Sequence, residues 1–186
     1  MQKSEKRFEL LPGFPHSKEP ILCFGGQPAY AEGFIVRFFK ANGDSWIGNF
    51  RSNRTKLNDV YETSQTDDLL VFAEGTAYLL DSETTEALEV IGDGFYQCLK
   101  TPNGTMILSD GCKLTILDTR GEKWESERIS WDEIKDLRVA ANSVRGLAYD
   151  AMDTKKEWKL FSLNLETKVL TGGSYANYID KHDPRP

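Results

Sequence analysis

The stretch that decides the fold is Thr105–Ile129, TMILSDGCKLTILDTRGEKWESERI. It contains two runs rich in β-branched and apolar residues, TMILS and KLTILD, which are separated by Asp110-Gly111. A type I′ turn needs positive φ at both central residues, and Asp-Gly is one of the pairs that best meet this need. The stretch therefore predicts a strand, a tight turn, a second strand, a short loop and a third strand.

The same pattern occurs on both sides of this stretch, as LLVFA-EG-TAYLLD and as VRGLAYD-AMDTKKE-WKLFSLN. Gly75 lies 36 residues before Gly111, and Asp118 lies 37 residues after Asp81 and 46 before Asn164. The turns and short loops leave no room for crossover helices, so we expect consecutive strands to be antiparallel neighbours. Periods near 40 residues, with about four strands in each, are typical of propeller blades.

We therefore predict an all-β protein built from antiparallel meander repeats of about four strands, in a small propeller-like array. The alternative is that one long meander folds over itself as a β-sandwich or an open barrel. Residues 1–20 are expected to be an irregular lead-in, residues 21–175 a single β-repeat domain and residues 176–186 a polar tail. The segment SWDEIKDL is the one plausible helix, with Ser130 as N-cap and Glu133 as its capping-box partner.

Composition and charge exclude several classes of function. The 186 residues are 39% hydrophobic and 28% charged, with a formal net charge of −6. Binding to nucleic acids or anionic membranes requires a positively charged surface, and the chain is negatively charged overall, so neither is an expected partner. No apolar run approaches the ~20 residues that a membrane-spanning helix needs. The N-terminal sequence also lacks the apolar core of a secretory signal, and we predict a cytoplasmic protein.

The sequence offers few groups for catalysis or metal binding. Its two histidines, His16 and His182, lie near opposite termini in polar, Pro-flanked segments. The three cysteines, Cys23, Cys98 and Cys112, are widely separated and have no zinc-ligand spacing. There is no phosphate-binding loop. We therefore predict no catalytic residue, no metal site, no cofactor and no enzymatic activity.

Acidic residues recur at the predicted hairpins, as Asp44, Glu74, Asp110 and Asp150. In a propeller-like fold, equivalent hairpins lie on one face, so these carboxylates could form a cation site or an acidic docking surface. The alternative, which we favour, is that acidic residues there serve the turns themselves.

The four tryptophans, Trp46, Trp124, Trp131 and Trp158, lie at predicted strand starts or just outside strands. Tryptophans that reach a surface favour protein or sugar partners, because they offer a large contact area with few rotamers. In β-repeat proteins they more often pack between sheets, and we expect packing for each of them individually.

The segments ISWDEIKDL, GLAYD and EWKLFSLNLETKVLTGGSY resemble the C-terminal half of a family of uncharacterised bacterial proteins, and FFKANGDSWIGNF resembles an earlier part of that family. The resemblance implies a bacterial, cytoplasmic protein. It transfers no catalytic residue, since none is assigned to the family.

Three functions are consistent with these observations. We favour a non-catalytic protein-binding module, for example an immunity or inhibitor protein whose partner is basic, because an acidic surface would speed their association. The alternative is a carbohydrate-binding or carbohydrate-processing protein that uses surface tryptophans and acidic residues. A third possibility is a self-assembling β-repeat protein. The sequence leaves the oligomeric state open.

Overall fold

The computed structural model of the protein describes residues 7–51, 55–63 and 68–175. Every helix or strand assigned in those residues is a β-strand, and the strands form four sheets of four. This confirms the predicted all-β class and the predicted size of the repeats. The chain divides into two compact units, Met1–Phe95 and Tyr96–Pro186, each with two sheets. None of the described residues belongs to a helix long and apolar enough to cross a membrane.

The first unit contains β1 to β8. Its first sheet has the order β1-β3-β4-β2, in which β2 runs parallel to β4 and the other neighbours are antiparallel. Its second sheet is a simple antiparallel meander, β5-β6-β7-β8. The strands are β1 Phe8–Leu11, β2 Ile21–Phe24, β3 Phe34–Phe39, β4 Ser45–Phe50, β5 Asp59–Glu62, β6 Leu69–Ala73, β7 Thr76–Asp81 and β8 Glu86–Gly92.

The second unit contains β9 to β16 in two antiparallel meanders, β9-β10-β11-β12 and β13-β14-β15-β16. Three of the four sheets thus follow the predicted strand order. The strands are β9 Gln97–Lys100, β10 Met106–Ser109, β11 Leu114–Leu117, β12 Lys123–Glu125, β13 Ile134–Ala140, β14 Ser143–Tyr149, β15 Trp158–Asn164 and β16 Leu170–Gly172.

Each unit has a core to which both of its sheets contribute. In the first unit, Phe38 and Trp46 of the first sheet pack with Leu69 and Tyr78 of the second. In the second unit the equivalent core includes Phe161. Full burial of one large apolar side chain contributes about 1.5–3 kcal/mol. The two cores therefore account for the stability of sheets that would be marginal alone.

The expected irregular lead-in is wrong at residues 8–11, which form β1. This strand pairs with β3 in antiparallel register, and Phe8 also packs against the core of the first unit. Arg37 of β3 bonds the carboxylates of Glu9 and Glu19 at 2.7 and 2.9 Å. Backbone pairing, apolar packing and this ion network together hold residues 8–11 and Glu19 against the first sheet. The predicted tail, residues 176–186, lies outside the described residues.

The predicted helix is wrong as well, because its second half belongs to β13. Ile134 and Leu137 are both buried, a three-residue spacing that fits a helix but normally places strand residues on opposite faces. A β-bulge between Lys135 and Arg138, with Asp136 at φ 54°, puts both apolar side chains on the core face. The Ser130 hydroxyl donates to the carbonyls of Glu133 and Tyr149 rather than capping a helix.

The hairpins follow the sequence in part. Glu74-Gly75 has positive φ at both residues, 44° and 87°, as a type I′ turn requires. The predicted type I′ turn at Asp110-Gly111 is wrong. Ser109 pairs with Leu114, so the loop has four residues, and of the Asp-Gly pair only Gly111 has positive φ. The Asp110 carboxylate accepts the N–H groups of Cys112 and Lys113, and these bonds lengthen the turn.

The residues on which the predicted repeat spacing was based occupy equivalent positions, each at the end of the third strand of its sheet or directly after it. Asp81 and Asn164 are the last residues of β7 and β15, and Asp118 directly follows β11. The side-chain oxygen of each accepts the N–H of the residue two positions further on, at 2.8–2.9 Å. Asp and Asn are suited to this local bond, which starts the turn at the end of the strand.

Candidate functional site

Three of the four predicted acidic residues, Asp44, Asp110 and Asp150, accept hydrogen bonds within their own turns. The Asp44 carboxylate accepts a bond from the side chain of Asn42, and the N–H of Glu74 donates to Asn58. Asp150 is 3% exposed, and its carboxylate accepts the N–H groups of Met152 and Asp153. Across the described residues, no group of three or more His, Cys, Asp or Glu side chains is arranged to hold a metal ion.

Trp46 is a core residue. Its side chain is 1% exposed, lies 4.4 Å from the Phe38 ring between centroids, and donates its indole N–H to the Ser82 carbonyl at 2.8 Å. The hydrogen bond satisfies both buried polar groups and fixes the orientation of the ring. Its place in the core leaves almost none of the indole for a partner at the surface.

The other three tryptophans are half-buried, and each lies under a cationic side chain of the second unit. Lys168 lies 5.1 Å from the ring of Trp124, and Lys135 lies 3.6 Å from the ring of Trp158. Arg128 lies 5.4 Å from the ring of Trp131 and also contacts the Tyr175 ring. Cation–π contacts of this kind contribute about 0.5–1 kcal/mol at exposed sites. They cover ring faces that a sugar would otherwise stack on.

An exposed edge strand is the main surface feature of the first unit. Residues 86–90, which we call the β8 edge, are exposed on both faces of the strand. Leu88 and Val90 are 53% and 55% exposed, and Glu86 and Glu89 are exposed beside them. β8 is the terminal strand of its sheet and pairs with β7 on one side. Its other side presents backbone N–H and C=O groups that another strand could bond.

The fourth sheet, β13 to β16, carries a different surface on the face that points away from its core. Arg138 lies directly opposite Arg145, and Leu147 lies directly opposite Leu160. Arg145 and Leu147 are two residues apart on β14, so their side chains share a face. Leu160 is 75% exposed, and these four residues line a shallow cavity of about 380 Å³ together with Asp136, Ala140 and Gly146. We call this set of four residues the basic face.

One end of the basic face is bounded by aromatic residues. Tyr149 and Trp158 are register partners whose ring centroids are 5.2 Å apart. The loop before Trp158 is held by Lys159, which bonds Asp153 at 3.0 Å. The N–H of Lys155 and the Lys159 ammonium together lower the pKa of Asp153. These contacts keep the Asp153 carboxylate ionised, and they fix the shape of the loop beside this aromatic pair.

Sequence reasoning missed both surfaces, although the signal for the basic face was present. The run VRGLAYD alternates, and Arg145, Leu147 and Tyr149 occupy its outward positions. Such alternation predicts one exposed face, but only the pairing with β13 brings Arg138 next to Arg145. The exposure of the β8 edge could not be predicted, since its sequence EALEV resembles that of covered strands.

Comparisons of the chain with models of protein families, with curated proteins and with solved structures found no match. The resemblance to a family of uncharacterised bacterial proteins therefore stays a prediction.

Proposed function

We propose that the protein is a non-catalytic protein-binding module that binds an extended, basic segment of its partner along the β8 edge. The observation that carries the proposal is the exposure of this terminal strand, with Leu88 and Val90 each more than half exposed. Natural sheets often protect such edges with charges or bulges, and β8 has exposed glutamates and two register shifts against β7. Two apolar side chains nevertheless stay exposed along the edge. An open, partly apolar edge is the form that strand addition requires.

Charge indicates what kind of segment would bind there. Glu86 and Glu89 are exposed along the β8 edge, and the whole chain has a net charge of −6. Backbone hydrogen bonds would supply affinity, while the glutamates would favour Lys or Arg side chains on the added strand. An immunity or inhibitor protein that occludes a basic partner in a bacterial cytoplasm is the specific form that we propose.

The carbohydrate-binding alternative has less support. It relies on surface tryptophans, whereas Trp46 is in the core and the three other tryptophans lie beneath cations. A glycan array and a titration of intrinsic fluorescence with sugars would test it, and a saturable response would favour it over the protein-binding proposal.

The experiment that tests the proposal is affinity purification from the native organism with two matched variants. Val90→Lys places a charge on the β8 edge, and Val169→Lys places the same charge on a valine of the second unit that is 57% exposed. We expect a stoichiometric, basic partner with the parent protein and with Val169→Lys, and its loss with Val90→Lys.

Two outcomes would contradict the proposal. One is that no partner is recovered in stoichiometric amount, and the other is that Val90→Lys retains the partner as well as Val169→Lys does. Light scattering of the purified protein gives a further check, because a dimer abolished by Val90→Lys would mean that the β8 edge pairs with a second copy instead.

A further inference from the structure

We propose that the basic face of the fourth sheet is a second binding site, which takes an acidic, extended protein segment. This site belongs to the second unit and is opposite in charge to the β8 edge. It therefore goes beyond the function proposed above and does not depend on it.

The two arginines form an arrangement that is unfavourable without a ligand. Arg138 and Arg145 are direct cross-strand partners, and like charges in this position repel each other. Both side chains are exposed, and among the described residues no carboxylate lies within 4.0 Å of either guanidinium group. Asp136 lines the same cavity without forming such an ion pair. Two adjacent guanidinium groups offer planar pairs of donors that match a carboxylate.

The backbone is deformed in the way that creates this pair. Lys135 and Arg138 are three residues apart, so a regular strand would direct them to opposite faces. The β-bulge at Asp136, which adopts a φ of 54°, places both on the outward face and sets Arg138 opposite Arg145. Non-glycine residues rarely adopt positive φ, and bulges often occur where a side chain must be redirected next to a site.

The other two residues of the basic face are apolar, which defines the ligand further. Leu147 and Leu160 are register partners in the row next to the arginines, and Leu160 is 75% exposed. A ligand that covers both rows needs a carboxylate over the arginines and an apolar side chain over the leucines. The distance between these two groups must match the rise of two residues along a strand. An extended segment with an acidic residue at position i and an apolar residue at i+2 has this spacing.

A nucleic acid is the other class of partner that a basic sheet face can bind, and the structure favours it less. Single strands are held largely by stacking of bases on aromatic rings. Here the Trp158 ring is covered by the Lys135 ammonium at 3.6 Å, and the row beside the arginines consists of Lys135 and two leucines.

The test uses a fluorescein-labelled peptide in which two Glu residues alternate with two Leu residues, so that each Glu is followed by a Leu at i+2. The full chain is titrated with this peptide, and binding is measured by fluorescence anisotropy. We expect saturable binding that weakens as salt is raised. The double variant Arg138→Gln, Arg145→Gln should weaken binding at least tenfold, and Leu160→Ser should also weaken it. Arg120→Gln, at an exposed arginine of the same unit, is the control and should bind as the parent does.

Thermal unfolding separates loss of binding from loss of structure. Removal of the two facing charges relieves repulsion, so the double variant should melt at or above the temperature of the parent. Val90→Lys should bind the peptide normally, so a failure of the proposed β8 function leaves this result unaffected.

The proposal is overturned if the acidic peptide does not bind, or binds equally to the parent and the double variant. It is also overturned if a labelled single-stranded oligonucleotide binds more tightly than the peptide and needs both arginines but not Leu160, since the ligand is then a nucleic acid. A dimer in light scattering that the double variant abolishes would instead identify a second copy of the chain as the occupant.

Discussion

Substitution of Gly111 by valine tests the position of the β10–β11 hairpin. Gly111 has a φ of 89°, where a β-branched side chain is strained. A Cβ atom at this residue would also lie 3.0 Å from the carbonyl oxygen of Asp132 and 3.7 Å from the Tyr96 ring. The substitution thus has two separate costs, one from the backbone conformation and one from space.

The magnitude follows from these two costs. A left-handed backbone costs a non-glycine residue about 1–2 kcal/mol, and the branched side chain adds to this. Overpacking against a fixed carbonyl costs roughly 1–3 kcal/mol more. Gly111→Val should therefore lower the free energy of unfolding by about 2–5 kcal/mol, a large part of the stability of an ordinary domain.

Urea unfolding, followed by tryptophan fluorescence, measures this loss, and Gly121→Val is the matched control. Gly121 has a φ of 84°, and an added Cβ would meet nothing within 4 Å. It should therefore show the backbone cost alone, about 1–2 kcal/mol. If Gly111→Val unfolds like the parent, the hairpin is misplaced. If the two variants lose equal stability, the contact with the Asp132 carbonyl is refuted.

Two further predictions concern the first unit. The hydroxyl of Ser45 and the guanidinium of Arg37 lower the pKa of Glu19 from 4.5 to about 2, so this network stabilises the fold above pH 4.5 and ceases to do so as the pH falls through about 2. Glu19→Gln should be less stable than the parent at neutral pH, and urea unfolding at a series of pH values should show the difference disappearing near pH 2. A difference that is constant with pH would contradict this. Trp46→Phe leaves the buried Ser82 carbonyl without its 2.8 Å bond and should cost about 2–4 kcal/mol in urea unfolding, and a loss below about 0.5 kcal/mol would refute a structural role for that bond.

The parts of the fold that the sequence predicted correctly are local. The Glu74-Gly75 hairpin follows from two residues that accept positive φ, and the repeat spacing follows from Asp81, Asp118 and Asn164, which bond their own turns. Alternating apolar runs between such turns are enough to specify antiparallel meanders. These features depend on neighbours in the chain, so the chain itself reveals them.

The predictions that were wrong involve contacts between distant residues. β1 is a strand because it pairs with β3 and packs Phe8 against the core, and nothing local distinguishes its sequence from a loop. SWDEIKDL has helical spacing because a bulge at Asp136 shifts the strand by one residue. A bulge is stabilised by the partner strand and the core, so its effect on the pattern cannot be recognised from the segment alone.

The candidate binding surfaces show the same division. By itself the sequence determined an acidic, all-β chain of four-stranded repeats with acidic residues in its turns. Only the tertiary structure decided that Arg138 faces Arg145, that Leu160 is exposed and that β8 ends its sheet. The physical reason is that strand pairing joins residues far apart in the chain, and the order of strands in a sheet decides which of them meet the solvent.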